Sequence, residues 1–213
     1  MKTDELVTLL ATGAGAVEPD AAARRFATAL GWGAFGAALL MAIVLGVRPD
    51  IREAAWLPMF WIKLAFPASL VVGGLFAAWR RSRPGMRLGR VPGALAAPVL
   101  AMGLLAAFAL FGAPPSERAE LILGSTWKDC LLNVTMLSLP VLVAVLWAMK
   151  GLAPTRLPLA GAAAGLLAGA IGALTYALHC PEMAPPFLGI WYLAGMLIPT
   201  AAGAILGPLL LHW

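Results

Sequence analysis

The residues of this chain best suited to chemistry are its two cysteines, Cys130 and Cys180, each set among potential ligands. Cys130 follows Trp127-Lys128-Asp129, and Cys180 stands in the run His179-Cys180-Pro181-Glu182-Met183. Three chemistries are open to such a pair. Two thiols at one depth in an oxidising compartment can form a disulfide or a reversible redox couple. Thiolates joined by an imidazole and a thioether can hold a soft cation. Cysteine is also a small, readily buried apolar residue with no chemistry required of it. A sensing pair is therefore Cys130 and Cys180. A metal set would be Cys130, His179 and Cys180, holding a thiophilic ion transiently rather than as a resident cofactor. The sequence contains no HExxH, GxSxG, P-loop or CxxC pattern, so no metalloprotease, hydrolase, P-loop nucleotide or thioredoxin-type chemistry is indicated. Nothing here points to an enzyme.

The elements that must position these residues are built for lipid. Hydrophobic residues make up 62% of the 213 and charged residues 12%, about half the charge of a soluble domain. A spanning helix needs about 20 mostly apolar residues. Six stretches meet this, at Phe26–Gly46, Leu57–Trp79, Ala94–Gly112, Leu131–Met149, Leu157–Leu178 and Phe187–Leu211. The expected fold is an all-α membrane protein, a six-helix transmembrane bundle over residues 26–213 behind an N-terminal segment of residues 1–25. The first span is long enough to be retained, so no cleaved leader is read.

Orientation follows from Lys and Arg, which stay on the cytoplasmic side of short loops. Lys2, Arg24, Arg25, Arg80, Arg81, Arg83, Arg87, Arg90, Lys150 and Arg156 share one side, against Arg48, Arg52, Arg118 and Lys128 on the other. Both termini are thus expected in the cytoplasm of a bacterial inner membrane, with both cysteines at the outer ends of helices. The Arg80–Arg90 loop reads as a topology determinant that touches anionic headgroups. It lacks the aromatic platform of a nucleic-acid binder.

Within the spans, Gly161, Gly165 and Gly169 repeat every four residues, as do Gly195, Pro199, Gly203 and Gly207. Such spacing lets backbones approach closely in lipid. It predicts that the fifth and sixth helices pair, or that one of them forms a homodimer seam. Pro67, Pro140 and Pro199 are expected to kink their helices unless neighbours satisfy the freed carbonyls. No Asp or Glu falls in any span, which disfavours a proton-coupled transporter. The lone intramembrane charge, Lys63, is expected to snorkel outward, or else to pair with a carbonyl or with Asp129. His212, beside Trp213, reads as interfacial.

The N-terminal segment carries the second candidate site. Thr3 is a plausible N-cap, and Asp4 and Glu5 suit a first helical turn. Leu6, Val7, Leu9 and Leu10 then give an apolar stripe, and Gly13 and Gly15 close it. So short a helix is marginal alone in water and needs a surface to cover. Asp4, Glu5, Glu18 and Asp20 disfavour an anionic membrane and favour a basic partner groove.

Across its length the chain resembles the NrsF-like family of bacterial membrane anti-sigma factors. The likeness lies in Met1-Lys2-Thr3-Asp4-Glu5-Leu6-Val7 with Leu9-Leu10, in Phe60-Trp61-Ile62-Lys63 and in Trp127 to Cys130. It continues in Cys180-Pro181-Glu182, Phe187, Trp191-Tyr192, Gly203 to Gly207 and Trp213. The chain departs from the family pattern at His212, where Arg is expected. Its tail is also shorter than a typical soluble anti-sigma domain, so the Arg80–Arg90 loop is a candidate to assist. The resemblance implies a negative regulator of an extracytoplasmic-function sigma factor. Thr3, Asp4, Glu5, Leu6, Val7, Leu9 and Leu10 would hold the sigma factor, and the outer cysteines would sense redox or metal stress. The partners implied are that sigma factor and the bilayer, with no direct contact to nucleic acid. Two rival readings are a quinone-coupled thiol/disulfide oxidoreductase and a small transporter.

Overall fold

The computed structural model describes residues 3–13, 20–83 and 85–212. Among them every regular element is helical. In chain order these are α1 (Thr3–Gly13), α2 (Ala21–Leu45), α3 (Pro58–Arg81), α4 (Val91–Gly112), α5 (Pro115–Leu123), α6 (Trp127–Lys150), α7 (Leu157–Tyr176) and α8 (Pro185–Leu210). A single further turn, Ile51–Ala54, lies between α2 and α3. Six of the helices are long and apolar enough to cross a membrane: α2, α3, α4, α6, α7 and α8. They coincide with the six expected spans to within a few residues at each end. α5, a nine-residue helix ahead of α6, was not expected.

The bundle is built around α7, which packs against α8, α6, α3 and α2. Two-thirds of its span is buried (67%), against 6% for α4 at the periphery. The reason is side-chain size. α7 is almost wholly Gly, Ala and Leu, and small residues are what let helices close on one another where lipid tails compete for every large apolar group. A Cβ added to Gly161 or Gly165 would lie far inside contact distance of the carbonyl oxygens of Gly203 and Pro199 on α8. At Gly169 it would meet Met196 Cα at 2.8 Å. The expected pairing of the fifth and sixth spans is therefore observed, with backbone against backbone.

Large apolar side chains take the outside. Trp32, Phe35, Leu104, Phe108 and Phe111 are all exposed. A soluble monomer rarely shows so continuous an apolar surface. The interior divides into two clusters. One, with Phe26, Val145, Met149 and Leu167, lies toward the end where α2 begins and the arginine loop turns. The other, with Met41, Phe66, Met102, Cys130, Cys180, Tyr176 and Tyr192, lies toward the opposite end. We refer to these as the basic end and the cysteine end. α2 and α8 each relax into a π-turn, at Met41–Leu45 and Leu188–Tyr192, and both turns contribute to the cysteine-end cluster. α3, α6 and α8 run through Pro67, Pro140 and Pro199 as continuous helices.

Candidate functional site

The cysteine end draws on α2, α3, α4, α6, α7 and α8. Cys130 sits in the first turn of α6, its N–H donating to Thr126 O at 2.8 Å. Cys180 ends a turn that extends α7, its N–H donating to Tyr176 O at 3.0 Å. Both side chains are fully buried, and both are free thiols in this structure. The only two tyrosines of the chain, Tyr176 and Tyr192, lie in the same cluster with ring centroids 6.0 Å apart. The Tyr192 hydroxyl is buried and meets no hydrogen-bond partner among the described residues. Trp127 and Trp191 stack beside this layer at 4.9 Å, and Trp191 Nε1 donates to Ile122 O at 2.7 Å, tying α8 to α5.

Over the layer lies the segment from Leu178 to Ala184, and its backbone is held by cations. Lys63 does not snorkel. It is completely buried, and its ammonium donates to the carbonyls of Cys180 and of Glu182, the latter at 2.8 Å. The correction has a simple cause. At six residues into α3, Lys63 has unpaired loop carbonyls within reach inside the protein, and a buried ammonium with two carbonyl acceptors is better satisfied than one stretched through lipid. Of the alternatives read from sequence, the carbonyl is the one realised.

Arg48 supports the same loop. Its backbone N–H donates to Leu178 O at 3.2 Å, and Nη1 reaches Cys180 O at 3.4 Å. Its Nε and Nη2 form a two-pronged ion pair with the Asp50 carboxylate at 2.7 and 2.6 Å. That pair raises the guanidinium pKa further and holds the Asp50 carboxyl below the ordinary carboxylate range. On the far side of the loop the Glu182 carboxylate accepts from Ser125 N and Ser125 Oγ, both at 2.8 Å. This closes the α5–α6 connection against the Cys180 segment. The His179 ring, through Nδ1, meets Gly46 O at 2.9 Å.

The structure thus brings Cys130 and Cys180 into one dry layer but does not add His179 as a third ligand. Among the described residues no group of three or more His, Cys, Asp or Glu side chains is gathered closely enough to hold a metal ion. Lys63 and Arg48 were not read from sequence as parts of this site, and Glu182 only as a potential ligand beside Cys180. The signal that could have found them is the cluster of polar residues flanking each cysteine, since a buried loop must have its carbonyls satisfied.

The tail site is the reverse of the cysteine end. α1 is exposed along its described length: Leu6 by 42%, Val7 by 59% and Leu9 by 62%. Neither interior cluster contains a residue of it. The helix takes in Thr3 as its first residue rather than as a cap, and Asp4 and Glu5 fall in the first turn. The Leu10 side chain, Lys2, Gly15, Glu18 and Trp213 lie outside the described residues.

These features define a class: a six-span helical bundle with a buried cysteine and aromatic layer at one end and an unburied amphipathic helix before its first span. Comparison with known proteins makes this particular. The chain belongs to the family described as negative regulator of sigma F, whose pattern matches residues 10–213. It is 57% identical, over the full length of both chains, to a probable anti-sigma-F factor NrsF of Azospira oryzae. It is 38% identical, again over both full lengths, to the anti-sigma-F factor NrsF of Caulobacter vibrioides. Both are named as regulators rather than enzymes. No solved structure matches.

Proposed function

We propose that the protein is an integral inner-membrane anti-sigma factor. It holds a sigma factor of the extracytoplasmic-function group at the cytoplasmic face and releases it when the outer face senses stress. The full-length likeness to anti-sigma-F factors supports the activity. The observation that carries the site is α1, a helix with three exposed apolar side chains and two acids in its first turn. An eleven-residue helix of this kind gains most of its stability from a partner surface, and its acids suit the basic surface of a DNA-binding protein. The excess of Lys and Arg at the basic end supports placing both termini in the cytoplasm.

Cys130 and Cys180 serve as the sensing pair. They share one cluster with Val134, against which Gly172 of α7 and Gly195 of α8 pack with no room for a side chain. Oxidation or a thiophilic ion at the thiols would expand this layer and shift α7 and α8 against α6. A signal acts only through its differential affinity for the two arrangements. The test is affinity capture from solubilised membranes: a sigma factor co-purifies with the intact protein and is lost with a Leu6→Glu, Leu9→Glu double variant. Capture of no sigma factor by the intact protein from unstressed cells would sink the reading.

A further inference from the structure

At the basic end a cavity of about 390 Å³ opens between the end of α3, the loop after it and the start of α7. Its walls carry five guanidinium groups, from Arg80, Arg81, Arg83, Arg87 and Arg156, and none of its lining residues is acidic. Among the described residues no carboxylate pairs with any of the five. The site is built rather than merely charged. Arg80 donates to Leu88 O at 2.7 Å and to Arg87 O at 3.2 Å, which curls the loop back over the helix end. Gly89 permits this turn at a φ of +55°, where a Cβ would meet Arg80 Nη1 at 2.7 Å. Arg83 is fixed by stacking its guanidinium over the Trp79 ring, 4.0 Å from the centroid. Arg156 precedes the first residue of α7, whose positive N-terminal dipole therefore opens beside the same cavity.

We propose that this cavity binds the phosphate of an anionic phospholipid headgroup. Five positive charges, two of them held by the contacts of Arg80 and Arg83, and a helix N-terminus form an anion site, and arginine forks match phosphate oxygens in pairs. The depth selects a lipid over a soluble anion. Arg80 and Arg81 are the last residues of a membrane-crossing helix, and Trp79 is the kind of aromatic that marks the interface. Met86 and Leu88 give the cavity apolar walls beside the charges. A basic pocket between spanning helices at this level is placed to receive a headgroup phosphate while the acyl chains follow the bundle surface. The inference stands independently of the sigma-factor reading.

The experiment uses the full chain, purified in detergent, exposed to equal phosphatidylglycerol and phosphatidylcholine, and read by native mass spectrometry. The intact protein should retain phosphatidylglycerol at least tenfold over phosphatidylcholine. An Arg83→Gln, Arg87→Gln, Arg156→Gln variant, which leaves the loop-holding Arg80 in place, should lose that preference. The corresponding triple Lys variant should keep part of it, which separates lost charge from lost fold. No preference in the intact protein, or an unchanged preference in the Gln variant, would overturn the proposal. Displacement of the lipid by millimolar inorganic phosphate would reassign the pocket to a soluble phosphate.

Discussion

Replacing Lys63 with Met keeps most of the side chain's length and removes its charge. In the native state the ammonium is wholly buried and satisfies two loop carbonyls. After the change, Cys180 O keeps only the 3.4 Å contact from Arg48, and Glu182 O keeps no donor among the described residues. An unsatisfied buried carbonyl costs about 1–3 kcal/mol, while the lost desolvation penalty of the ammonium offsets part of it. A net cost of about 2 kcal/mol should fall on the Leu178–Ala184 segment rather than on the whole bundle, because α7 and α8 pack elsewhere. Local opening would then rise about 30-fold, since each 1.4 kcal/mol is a factor of ten. The assay is maleimide labelling of the two thiols in nanodiscs, with thermal unfolding alongside. The intact protein should label slowly and the variant about 30-fold faster, with little change in the global midpoint. A labelling rate within threefold of the intact protein would show that Lys63 does not close this layer.

Further outcomes follow from the same geometry. Gly165→Val should cost about 3 kcal/mol or more by forcing α7 from α8, whereas Gly103→Ala, with nothing within 4 Å of the new methyl, should stay within about 1 kcal/mol; size-exclusion melting curves compare them. Glu182→Ala should release the Ser125 contact and raise amide exchange across the α5–α6 connection. Asp50→Asn removes a carboxyl whose pKa Arg48 holds down. A depressed carboxyl stabilises the fold above its ordinary value, about 3.9, and loses that contribution as pH falls through the lower folded value. The variant should therefore melt below the intact protein by a constant margin from about pH 5 to 8, and the margin should close in stronger acid. Replacing both cysteines with Ser should leave sigma-factor capture intact and abolish its release by oxidant; release that persists would remove the cysteines from sensing.

The six spans were legible because lipid imposes one requirement, about 20 apolar residues per crossing, and each stretch meets it locally. The pairing of α7 with α8 was legible for a similar reason: glycine every four residues has one geometric use in a helix. The exposed stripe Leu6, Val7 and Leu9 could likewise be read from helical spacing alone. What could not be read was the cap over the cysteines. Lys63 and the carbonyls it satisfies are far apart in sequence, and Arg48 meets Leu178 and Cys180 from another connection. Single charges near a helix end look like snorkelling residues until the loop that covers them is in place. The basic cavity was half legible: the arginines were evident, but the alignment of Arg156 and the α7 start with the α3 end is a tertiary fact. α5 escaped notice because its mixed sequence, PSERAELIL, has no continuous apolar face to signal it.

An equilibrium titration asks whether α1 is the handle for the sigma factor. A fluorescently labelled sigma-F-type factor would be titrated against the full chain in nanodiscs, alongside the Leu6→Glu, Leu9→Glu variant. Saturable binding to the intact protein is expected, with at least a hundredfold weaker binding to the variant and the melting midpoint of the bundle unchanged. Equal affinity for the two would contradict that role and move the sigma-factor contact away from the tail.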